Sequence, residues 1–80
     1  MANSTESKQT MDRQEFADYL RELADQFDGD SDANILVGNK RVNLSPTRKV
    51  ETEVEVVERS SVLRGDKESI DLTAHWKRDK

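Results

Sequence analysis

Two stretches in the C-terminal half alternate strictly between apolar and polar residues, and this alternation constrains the fold more than any other feature. From Val50 the chain sets Val50, Thr52, Val54 and Val56 on one parity, with Glu51, Glu53 and Glu55 between them. From Ser69 to Lys77 it sets Ile70, Leu72, Ala74 and Trp76 on one parity, with Asp71, Thr73 and His75 between. A period of two marks a half-buried antiparallel strand, apolar on one face and wet on the other. The two segments are therefore expected to share one apolar face. A tight turn at Gly65-Asp66 would place Trp76 opposite Glu55, with the faces out of step. The pattern instead predicts a longer loop or a bulge, with Val62 and Leu63 capping one edge of the core.

Upstream, the period changes. Phe16, Leu20, Leu23, Ala24 and Phe27 recur at helical spacing, with Tyr19 on the border of the stripe and Arg13, Asp18, Glu22 and Asp25 outside it. Asp12 is a suitable N-cap, and Glu15 lies three residues on, as a capping box requires. Met11 and Phe16 have the spacing of a hydrophobic staple. Asp28-Gly29 ends the helix, with glycine supplying a left-handed position. Phe16, Leu20, Leu23 and Phe27, together with Trp76, are the expected core anchors.

Between helix and long strand, Ala33–Val37 and Lys40–Leu44 flank Gly38-Asn39, a two-residue hairpin turn with glycine first. That turn pairs Val37 with Lys40, Ile35 with Val42 and Ala33 with Leu44. Ala33, Ile35, Val37, Val42 and Leu44 then share one face, with Asn34, Arg41 and Asn43 on the other; Leu36 is the one apolar residue outside. Pro46 breaks the chain before the next strand, since it lacks a ladder donor. The expected fold class is α+β: one amphipathic helix packed on one face of a mainly antiparallel sheet of four to five strands. The fifth strand would be Glu6–Thr10. Residues 1–5 are expected to be a disordered tail and residues 6–78 a single α+β domain.

Composition bears on how such a fold is held together. The chain has 80 residues and no cysteine, with 32% apolar and 38% charged residues. No disulfide or Cys-based zinc site can reinforce it, so the core is lean, and small chains of this kind often add stability by assembling. A net charge of −4 gives no general attraction to nucleic acid or anionic membranes. No apolar run approaches the roughly 20 residues of a membrane span, and the N-terminus lacks the apolar centre of a signal peptide. A cytoplasmic location is expected.

The segment Glu6-Ser7-Lys8-Gln9-Thr10-Met11 leading into the helix, the Leu20–Leu23–Ala24 stripe and the amphipathic strand ending in Trp76-Lys77 together resemble the amphi-Trp domain family. The resemblance covers about three quarters of the chain and rests on patterns rather than catalytic signatures. It implies an archaeal, cytosolic, halophilic setting, with which the acidic surface is compatible. It brings no activity with it.

Several residues invite chemical readings. Asp28, Asp30, Asp32 and Asn34 alternate like the start of a calcium loop, but Ala33 stands where glycine is needed and Asn39 where a bidentate glutamate is needed. A hydrated acidic loop is the better reading, and no metal or cofactor is expected. His75 is the sole histidine, on the wet face, with Asp71 or a cross-strand glutamate as the nearest orienting carboxylate and no nucleophile beside it. No catalytic residue or small-molecule substrate is evident. Arg64-Gly65-Asp66 reads as turn chemistry. Lys40, Arg41, Arg48 and Lys49 form one basic cluster, and Lys77, Arg78 and Lys80 another, which together could contact phosphates. Against that, Glu51, Glu53, Glu55 and Glu58 occupy the adjacent strand, where they are expected to pair with cross-strand Arg or Lys. The expected function is a non-enzymatic module that associates with itself or another protein. The alternative is a nucleic-acid accessory protein using the two clusters.

Overall fold

The structure, a computed structural model, describes residues 4–78. In chain order it contains a helix α1 (Arg13–Phe27) and four strands, β1 (Ala33–Val37), β2 (Lys40–Leu44), β3 (Glu51–Arg59) and β4 (Lys67–His75). The strands form two separate two-stranded antiparallel sheets, β1–β2 and β3–β4, in place of the single larger sheet expected. The break falls where Pro46 interrupts the chain, and a residue without an N–H cannot carry a ladder onward. No fifth strand forms among the described residues, since 4–12 have no regular structure. Residues 1–3 of the expected tail, and Lys80 of the second basic cluster, lie outside the described residues. The chain divides into two compact units, Met1–Pro46 and Thr47–Lys80.

In the first unit, the helix begins as its sequence dictates. Asp12 and Glu15 form a capping box, whose best-formed half is the Asp12 N–H donating to Glu15 Oε1 at 3.0 Å. Phe27 is its last residue, and Gly29 turns the chain away with φ +142°, positive but further round than a left-handed helical cap. The hairpin has the expected register: Val37 opposite Lys40, Ile35 opposite Val42, Ala33 opposite Leu44. Gly38 has φ +66° and, among the described residues, no non-glycine has positive φ, which identifies the turn with glycine at its first central position. A Cβ at Gly38 would lie 2.9 Å from Ser7 Oγ, so the N-terminal segment also closes on this turn. Ala33, fully buried, is the centre of the small core.

The helix meets this hairpin through the flank of its apolar stripe. In a two-residue hairpin the pairs Val37–Lys40 and Ile35–Val42 exchange ladder bonds, which leaves the N–H and C=O groups of Asn34 and Leu36 pointing away from β2. Helix side chains meet one of these groups on each residue. The Tyr19 hydroxyl donates to the Leu36 carbonyl at 2.8 Å, and the Asn34 N–H donates to Gln26 Oε1 at 2.9 Å. Tyr19 and Gln26 lie seven residues apart, two helical turns along one stripe, with half-buried Leu23 between them. The outer edge of β1 is therefore covered by α1, one of the ways an edge strand is protected. Phe16 and Leu20 are 50% and 40% exposed.

In the second unit, β3 and β4 pair without interruption from Glu51–His75 to Arg59–Lys67. Of the two expected alternatives, a longer loop or a bulge, the connection is the longer loop, Ser60 to Asp66. Ser61 organises it: its carbonyl accepts from the Gly65 N–H at 3.0 Å and its Oγ accepts from the Arg64 N–H at 3.1 Å. Gly65 takes φ +81° in open space. Val62 and Leu63 do not cap a core edge, as they are 104% and 95% exposed. A loop closed on its own backbone holds them out at its tip.

Candidate association surfaces

The β3–β4 register sets Val54 against Leu72, Val56 against Ile70 and Thr52 against Ala74, all on one face. Val54 and Val56 are each 64% exposed, Ile70 71% and Leu72 60%. Four large apolar side chains thus form one continuous patch across the ladder. Trp76, just beyond the strand, is half-buried. The opposite face carries Glu51 against His75, Glu53 against Thr73 and Glu55 against Asp71.

The expected pairing of the glutamates with cross-strand cations does not occur. Glu55 faces Asp71, Glu58 faces Glu68, and Arg59 faces Lys67. No ion pair among the described residues joins β3 to β4; the recorded one is Arg21–Asp18 on the exposed side of the helix, at 3.0 Å. The loop length sets this outcome, because the register it selects brings like charges opposite one another. Like charges directly opposite are unfavourable in an isolated hairpin.

Of the basic residues, Arg48 and Lys49 precede β3, and Lys77 and Arg78 follow β4. The antiparallel ladder brings these four to the open end of the hairpin, all exposed. Lys40 and Arg41 lie on β2 of the other unit, also exposed. His75 is exposed, with Glu51 as its cross-strand neighbour. In the acidic loop Asp28, Asp30 and Asp32 are exposed, while Asn34 is committed elsewhere: its Oδ1 accepts from Asn43 Nδ2 at 3.0 Å.

A groove of about 600 Å³ runs between the N-terminal segment, the start of α1 and the hairpin turn, lined by Met11, Arg13, Phe16, Tyr19 and Val37 among others. No helix among the described residues is long and apolar enough to cross a membrane. Sequence reasoning missed Gln26 and the edge-covering role of Tyr19. Their seven-residue spacing on the flank of the stripe was the available signal.

The family model described as the Amphi-Trp domain matches residues 1–80. Neither a curated protein nor a solved structure matches the chain.

Proposed function

Since the chain belongs to the Amphi-Trp domain family, which brings no reaction with it, we propose that it works by association, as a small non-enzymatic module binding another protein or a second copy of itself. The observation that carries this reading is the patch of Val54, Val56, Ile70 and Leu72, 60–71% exposed and continuous across two strands. Contiguous apolar patches of this kind mark interaction sites, and a lone two-stranded hairpin is marginal in water until such a face is covered. The helical residues Phe16 and Leu20 are read in the same way, as a stripe suited to packing on the face of a sheet. The setting we infer is the cytosol of a salt-loving archaeon.

The test is a pull-down of tagged full-length protein at native salt, with and without nuclease, alongside sedimentation at high protein concentration. The expected result is a protein partner or an oligomer that survives nuclease and is lost on Leu72→Lys. An empty pull-down together with a monomer at both low and molar salt overturns the reading.

A second reading has one specific observation in its favour, the gathering of Arg48, Lys49, Lys77 and Arg78 at one end of a hairpin. With Lys40 and Arg41 they would contact phosphates, giving steeply salt-dependent nucleic-acid binding that weakens on Arg41→Glu with Arg48→Glu. The net charge of −4 and the adjacent glutamates favour the first reading.

A further inference from the structure

We propose that the apolar face of β3–β4 is covered by the same face of a second copy of this chain, with the strands of the two copies antiparallel across a two-fold axis. The proposal rests on the association reading above and specifies its occupant and geometry. It starts from the patch Val54, Val56, Ile70 and Leu72 and from the charges at its two ends.

At the turn end, on the same parity as the patch, Glu58 stands directly opposite Glu68. At the open end stand Arg48 and Arg78. Each arginine lies three residues outside its strand, Arg48 in a bend before β3 and Arg78 after β4, at symmetric chain positions. Glu58 and Arg48 lie five residues either side of Glu53, Glu68 and Arg78 lie five either side of Thr73, and Glu53 faces Thr73 across the ladder. Two sheets packed face to face keep their strands roughly aligned, and a two-fold pairing uses the same patch on both copies. Two such arrangements exist. With the axis along the strands, turn end meets turn end and four carboxylates crowd together. With the axis across the strands at Glu53–Thr73, the Glu58–Glu68 end of each copy lies over the end of the other from which Arg48 and Arg78 extend. The second arrangement lays Val54 and Val56 of each copy over Thr52 and Val50 of the other, and Leu72 and Ile70 over Ala74 and Trp76, and it brings the like-charged Glu58–Glu68 pair towards the cations it lacks within one chain. Charge complementarity of this kind fixes register and orientation.

The geometry predicts a reciprocal charge-swap experiment on the full-length chain. Glu58→Lys with Glu68→Lys makes both ends of the face basic, and Arg48→Glu with Arg78→Glu makes both acidic. By sedimentation and native mass spectrometry, each variant alone should self-associate about tenfold or more weakly than the unmodified protein. An equimolar mixture should form a heterodimer of near-original strength, since each turn end again meets an opposite charge. Molar salt should bring the single variants back towards the original affinity. Glu58–Glu68 is the last pair but one of the ladder and Arg48 and Arg78 lie beyond its other end, and circular dichroism checks that each variant keeps its fold.

A monomeric unmodified protein at every concentration overturns the pairing. So does a dimer that both variants form equally well with no preference for the mixture. If the protein is monomeric but a pull-down partner is lost on Leu72→Lys, association stands with a different occupant. If it is monomeric and nothing is captured, both readings fail.

Discussion

The two hairpins of this chain are built from the same kind of strand and are finished differently. β1–β2 closes through two residues, Gly38-Asn39, and its outer edge is met by Tyr19 and Gln26 from α1. β3–β4 closes through seven, Ser60 to Asp66, and presents an apolar face that is more than half exposed. The first hairpin is specified locally, since a short turn fixes its register and a sequence-adjacent helix covers its edge. The second has longer strands and an alternation broken only at Val57, yet its like-charged cross-strand pairs and open face leave its stabilisation to something beyond the ladder. A strong local pattern thus shows where a strand is, and says little about what finishes it.

The largest expected effect comes from breaking the turn that distinguishes the two. Gly38→Val places a β-branched residue at φ +66° with its Cβ against Ser7, and should cost the first unit about 2 kcal/mol. Gly65→Asn, at φ +81° in open space, should cost well under about 1 kcal/mol, because asparagine tolerates that region. The readouts separate the units. The helix signal in circular dichroism belongs to the first, and the fluorescence of Trp76, the sole tryptophan, belongs to the second. In urea, Gly38→Val should lower the helix midpoint more than the Trp76 midpoint. Equal shifts would mean the two units unfold as one cooperative block.

A smaller loss is expected at the covered edge. Tyr19→Phe removes the donor to the Leu36 carbonyl and should cost about 1 kcal/mol. Gln26→Ala should cost less, its site being exposed, but should speed hydrogen exchange at the Asn34 amide. If that exchange rate does not change, Gln26 does not protect the edge in solution and the two hairpins are more alike than their structures indicate.

Much of this was legible in the sequence. The capping signals at Asp12 and Glu15, the glycine-first turn and the Ala33–Leu44 register are local features, each fixed by residues a few positions apart. The parity of Val54, Val56, Ile70 and Leu72 is equally plain, and it excludes a tight turn at Gly65-Asp66, leaving a longer loop or a bulge. What could not be read depends on distance. The division into two sheets depends on what β2 and β3 find beside them. Charge pairing depended on loop length, because moving the register by two residues changes every cross-strand partner without moving any side chain to the other face. Val62 and Leu63 were misplaced because two adjacent apolar residues suggest burial, while the backbone bonds from Ser61 hold the loop closed without them. Of the candidate sites, the basic residues were visible as runs, but the gathering of Arg48, Lys49, Lys77 and Arg78 at one end follows from the pairing alone.

The smallest expected effect has the opposite sign and tests the second hairpin directly. Glu55 and Asp71 face each other on the wet side of the ladder, where two carboxylates repel. Asp71→Lys replaces that repulsion with attraction and should stabilise the second unit by about 0.5 kcal/mol, seen as a higher urea midpoint of Trp76 fluorescence at unchanged slope. Glu55→Lys should do the same, while the two together should lose the gain, since lysine would then face lysine. The gain should shrink in molar salt, where exposed charges are screened. A midpoint that does not move in either single variant would mean the two carboxylates splay apart into water. The difference between the hairpins would then lie in their faces and edges, with no contribution from their charges.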